Sequence, residues 1–230
     1  MNNVYTRTQG EEIVNSILHG IGVLLSVAGM VLLVLRAHSS TAVYVIFAGG
    51  MILMFLVSTM YHAVVSQRLK ALFRIFDHQA IYLFIAGTYT PYCLLALQGA
   101  LGWVFFGFEW TLALTGIVLS AVQWRFLKKA ETVLFVLMGW AILAGCVPLA
   151  RSLSLKSLIL LFAGGIAYTL GVFWYRAGQG KSPERRPSAG SGKPPQFLRN
   201  PAGFHIIWHL FVLAGAVCHW FSVWFLCLTA

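Results

Sequence analysis

Charge is scarce in this sequence. Only 10% of its 230 residues are Asp, Glu, Lys or Arg, against about 25% in a soluble globular domain. That shortage excludes a chain wetted on all sides. Aspartate is scarcer still, with Asp77 its single occurrence. Cys93, Cys146, Cys218 and Cys227 stand inside apolar stretches with no CxxC spacing. No disulfide framework is expected from them, and they read as small buried apolar side chains. The sequence also lacks internal repeats and any polar stretch long enough for a soluble domain, so residues 1–230 read as one membrane domain.

What is abundant is hydrocarbon: 59% of residues are hydrophobic and the mean hydropathy is +0.81. A run of about 20 apolar residues crosses a bilayer as a helix. Seven such runs are present, over Ile13–Leu35, Thr41–His62, Asp77–Leu97, Trp103–Trp124, Thr132–Ala150, Leu155–Tyr175 and Gly203–Leu228. The fold class is therefore an all-α integral membrane protein, a seven-helix bundle. The first run exceeds the roughly 7–15-residue core of a signal peptide. On that length the run reads as a helix of the mature chain.

A formal net charge of +10 would point to nucleic acid in a soluble protein. Here its placement carries the information, and no nucleic-acid partner is expected. With seven spans, the N-terminus shares a side with the connections after spans two, four and six. That side holds Arg7, Arg68, Lys70, Arg74, Arg125, Lys128, Lys129, Arg176, Lys181, Arg185, Arg186, Lys193 and Arg199, which are 13 of the 16 basic residues. Arg36, Arg151 and Lys156 occupy the other. The positive-inside rule then predicts a cytoplasmic N-terminus and an outer C-terminus. Residues 179–196, rich in Gly, Pro, Ser and basic side chains, bury too little apolar surface to order themselves and read as a flexible cytoplasmic loop. A sharper reading has their cations meeting anionic headgroups, at about 1 kcal/mol each.

Trp103, Trp110, Trp220 and Trp224 fall near outer span ends and read as interfacial anchors, with Glu109 at the same headgroup level. Gly20, Gly22, Gly29, Gly164, Gly165 and Gly171 permit close helix approach. Pro91 and Pro148 should kink their spans or mark a cavity.

The chemistry-bearing side chains gather at one end of the spans. His205 and His209, four apart, share a face of the last helix. Alone, an HxxxH pair is more often packing than ligation. His62 changes that balance by ending the second span at the same depth. Three imidazoles fill the protein shell of a catalytic zinc. Ser58, one turn before His62, can orient a ligand or meet a developing oxyanion; it can equally bond its own helix carbonyl. Asp77 opens the third run with two readings of similar weight. One is an N-cap; the other is an anionic partner of the metal, directly or through its water. His78 points about 100° away around the helix and is at most a supporting residue. Glu12, Asn15 and His19 form one stripe of the first helix. Such a stripe is costly in lipid and is expected to support the site by hydrogen bonds rather than to ligate. His219 lies deep in the last span, and neither it nor His38 takes a role.

These elements together resemble a known family. Glu12-x-x-Asn15-x-x-x-His19, Ser58-x-x-x-His62, Phe76-Asp77, Ala86-Gly87-Thr88-Tyr89-Thr90-Pro91 and His205-x-x-x-His209 are similar, in order and over nearly the whole chain, to the haemolysin III family. That family is the bacterial branch of the progestin and adipoQ receptor (PAQR) superfamily. The resemblance implies seven helices, a cytoplasmic N-terminus, a bacterial inner-membrane location and a zinc held by His62, His205 and His209. It also implies that Asp77 stands beside the zinc-bound water. The Ser-x-x-x-His and Asp elements further resemble those of alkaline ceramidases. One departure is the basic connection before the last helix, longer than bacterial members lead one to expect.

The expected function is zinc-dependent hydrolysis of a lipid amide or ester. Asp77 would act as general base and Ser58 as oxyanion partner, with a membrane lipid or fatty-acyl chain as ligand. A non-enzymatic regulator of membrane composition or energetics, with a structural zinc, is the alternative. A pore-forming haemolysin ranks third, because no continuous polar stripe runs along the spans to line a channel.

Overall fold

The computed structural model describes residues 8–37, 39–97, 99–122, 125–179 and 201–228. His38 and the part of the basic connection from residue 180 onward lie outside them. Among the described residues eight α-helices follow in order: α1 (Gln9–Arg36), α2 (Thr41–Ala63), α3 (Gln67–Pro91), α4 (Gly99–Ala121), α5 (Arg125–Trp140), α6 (Cys146–Ser152), α7 (Leu155–Gln179) and α8 (Pro201–Cys227). They make seven stretches long and apolar enough to cross a membrane. α3 continues through a π-helical segment, Tyr92–Leu97, while α5, a 3-10 turn at Ala141–Gly145 and α6 together form the fifth span. There is no strand among the described residues.

Neighbours in sequence are neighbours in space. α1 packs on α2, α2 on α3, α3 on α4 and α4 on α5, while α7 packs on α8 and α8 returns to α1, closing a ring. The faces of α1 show what solvent this ring is built for. Its buried stripe is Asn15, His19, Gly22, Ser26, Gly29 and Leu33, whereas Leu24 is 71% and Leu35 79% exposed. Polar side chains turn inward and large apolar ones outward, the reverse of a water-soluble helix and the pattern hydrocarbon demands.

Small residues set the helix spacing. A Cβ built at Gly22 would sit 2.5 Å from the Phe55 ring, one at Gly29 2.4 Å from Trp220 and one at Gly164 2.1 Å from His219. Gly20, grouped with them by sequence, faces open space. Trp220 is accordingly no interfacial anchor: it turns its Nε1 into the bundle against Gly29.

Two further features depart from the sequence expectation, while beside Pro91 the expected cavity is found. α3 starts at Gln67, ten residues before Asp77, so the N-cap reading of Asp77 falls. Its first turns keep Arg68 and Arg74 exposed, which lowers the hydropathy without breaking the helix. Glu109 is not at headgroup level either; it is mid-way along α4 and 0% exposed. The helices near Pro91 and Pro148 change winding. The Tyr89 hydroxyl accepts the Ile142 N–H at 2.7 Å and donates to the Met138 carbonyl at 2.7 Å, satisfying backbone where α5 gives way to the 3-10 turn. A small cavity opens beside it among Thr88, Tyr92, Trp140 and His219.

Candidate metal centre

Four helices deliver the site at the end of the bundle where α1 begins. A capping box fixes that beginning: Thr8 Oγ1 accepts the Glu11 N–H at 3.4 Å, and the Glu11 carboxylate accepts the Thr8 N–H at 2.9 Å. Glu12 follows at once. Ser16 Oγ then donates to the Thr59 carbonyl of α2 at 3.3 Å, which levels Asn15 and His19 with Ser58 and His62.

His62 of α2 meets His205 and His209 of α8. One ligand atom from each imidazole lies within 4.8 Å of the others. The Nε2 atoms of His62 and His209 are 3.1 Å apart, and the ring centroids of His205 and His209 are 4.3 Å apart. His62 and His209 are buried and His205 half-buried. Two nitrogens on one tetrahedral zinc, with Zn–N near 2.0–2.1 Å, stand about 3.3 Å apart. The three imidazoles could thus hold a metal ion, with the His62–His209 pair close to the spacing one tetrahedral ion requires.

The far side of His62 is fixed as well. Its Nδ1 lies 2.6 Å from Glu12 Oε2, and Glu12 Oε1 is 3.0 Å from Lys70 Nζ. A carboxylate on Nδ1 holds the proton there and turns the Nε2 lone pair toward a metal. Lys70 balances the carboxylate and also reaches the Val64 carbonyl at 3.4 Å.

Comparisons with known proteins place the chain in a family. The family model described as "Haemolysin-III related" matches residues 7–220. The chain belongs to the haemolysin III family. It is 37% identical over 221 residues to "Hemolysin-3" of Bacillus cereus, covering 94% of this chain and 91% of that protein. To the "Hemolysin-3 homolog" of Bacillus subtilis (strain 168) it is 36% identical, over 94% of each chain. More distantly it is 27% identical to the human "Monocyte to macrophage differentiation factor", over 78% of this chain and 68% of that one. The last is a relative of PAQR type.

In this haemolysin III protein the remaining candidates divide. His19 stands with the cluster, its ring centroid 4.1 Å from that of His209. Ser58 is buried on the His62 face. Asp77, half-buried on α3, is not one of the three clustered ligands. His78 turns away, its Nδ1 2.7 Å from Glu131 Oε2 on α5. His219 is ten residues beyond His209 on α8, about 15 Å along the axis, with Nε2 3.1 Å from the Leu161 carbonyl. Lys70 and Glu131 are the partners that reading the sequence missed. Both pairings depend on helix rotation, which spacing along one helix does not reveal.

Proposed function

We propose that this haemolysin III protein is a zinc-dependent membrane hydrolase acting on a lipid amide or ester. Its N-terminus and metal site would lie at the cytoplasmic face of a bacterial inner membrane. The observation that carries the reading is the three-imidazole group with Glu12 behind His62. Three ligands leave a tetrahedral ion one position for chemistry, whereas a structural staple closes all four. Bound zinc supplies a Lewis acid and lowers the pKa of water toward about 7. Around it, Glu12 holds His62 in the ligating tautomer. Asp77, on the neighbouring α3, is the carboxylate assigned to take the proton of the attacking water. Ser58, whose Oγ is buried with no hydrogen-bond partner among the described residues, donates to the developing oxyanion. The outward apolar faces keep the acyl part of the substrate in hydrocarbon. The positive-inside bias of the basic residues supports the orientation.

The test has two arms. Purified full-length protein should hold one zinc per chain, and His205→Ala should lower that stoichiometry. The zinc-loaded protein should cleave at least one member of a panel of ceramides and lipid esters. Unchanged zinc in His205→Ala overturns the metal assignment; no cleavage across the panel overturns the hydrolase.

A further inference from the structure

Five polar atoms beside the imidazole cluster have no hydrogen-bond partner among the described residues. They are both ends of the Asn15 amide, both ring nitrogens of His19, and Ser58 Oγ. Exposure is 0% for Asn15, 2% for His19 and 1% for Ser58. A buried polar group left unpaired is destabilising, and most such groups in native structures are paired. An amide and an imidazole kept in this condition side by side are unlike ordinary core packing.

Their placement is specific. Asn15 sits one turn from Glu12, which meets His62 at 2.6 Å, and one turn from His19, which meets the His209 ring. The α1 stripe therefore lies along the three-histidine group, with its open hydrogen-bonding capacity on the bundle-interior side of Glu12. The open groups are an amide, an imidazole and a hydroxyl, which between them offer both donors and acceptors.

We propose that Asn15 and His19 are a recognition pair for the polar group of the lipid that enters the histidine site, and that this group is an uncharged amide. A secondary amide brings one N–H and one C=O, matching a donor and an acceptor on the α1 stripe. A fatty-acyl ester, equally uncharged, brings acceptors only and would leave the Asn15 carbonyl unpaired. The inference rests on the metal-site reading above but not on turnover.

The test uses full-length protein loaded with zinc, with N-methylpalmitamide and methyl palmitate as uncharged probes of equal acyl length. Wild type should bind the amide at least tenfold more tightly than the ester. Asn15→Leu and His19→Phe should each lower amide affinity at least tenfold while zinc stoichiometry stays at the wild-type value. Their melting temperatures without probe should hold or rise, because the deleted atoms have no partner in the free protein. His19→Gln, which keeps a donor and an acceptor, should bind the amide within about threefold of wild type. Unchanged amide affinity in the Leu and Phe variants, or equal or tighter binding of methyl palmitate by wild type, overturns the proposal. So does a fall in melting temperature with amide affinity intact, which would make the stripe structural. Should either apolar variant not fold, Asn15→Ala and His19→Ala, which delete the same polar atoms, should show the same tenfold loss of amide affinity. Absence of zinc in wild type would sink the metal site instead, and absence of cleavage with these affinities as expected would sink only the hydrolase.

Discussion

The Glu12 carboxylate does more for the candidate centre than its position outside the three-histidine group suggests. It faces His62 at 2.6 Å and Lys70 at 3.0 Å, so its removal frees the tautomer of a ligand. Glu12→Gln should weaken zinc binding about 10–100-fold, read by competition with a chromogenic chelator, and wild-type affinity in that variant would count against a role in orienting His62. Glu109 makes the opposite case. Both its carboxylate oxygens are buried with no hydrogen-bond partner among the described residues, so Glu109→Met should raise stability by about 1–3 kcal/mol, seen as a higher melting temperature in detergent. At this scale the sequence was informative about residue type and depth. The convergence of His62, His205 and His209 follows from two spacings and a shared span end. The burial of Glu109 does not, because tryptophans beside it mimic an interface and only the rotation of α4 decides which way it points.

Among the helices, glycine sets which faces touch. The Gly22–Phe55 approach binds α1 to α2 one turn past His19. Gly22→Ala should therefore cost about 1–3 kcal/mol and weaken zinc retention with it. Gly20→Ala, at a site with open space, should be neutral or stabilising by up to about 1 kcal/mol from helix propensity. Thermal unfolding of the two variants side by side checks the pair, and equal destabilisation would refute the packing argument. Element boundaries were legible where hydropathy changes with structure, as at Thr41 and Leu155. They were not legible at α3, where Arg68, Lys70 and Arg74 lower the hydropathy while the backbone stays helical from Gln67. Hydropathy reports the solvent around a segment, not its hydrogen bonding.

For the molecule as a whole, a bound ion would tie α2 to α8, segments 143 residues apart between His62 and His205. Zinc removal should then lower the melting temperature, by the equivalent of about 4 kcal/mol where free zinc stood 1,000-fold above its dissociation constant. Unfolding with and without a strong chelator measures it. Ligation requires deprotonated imidazoles, so zinc affinity should fall as pH is lowered; titration of bound zinc against pH checks the sign. By itself the sequence determined the solvent, the number of spans and the family, since these depend on composition and on the order of residues along the chain. It also determined that three imidazoles reach one depth, because 1.5 Å of rise per residue converts position into depth. The tertiary structure decided which polar groups face one another: Glu12 with His62 and Lys70, His78 with Glu131, and the open Asn15–His19 stripe beside His209. Those choices depend on the rotation of each helix about its axis, which is set by the packing of every neighbour at once.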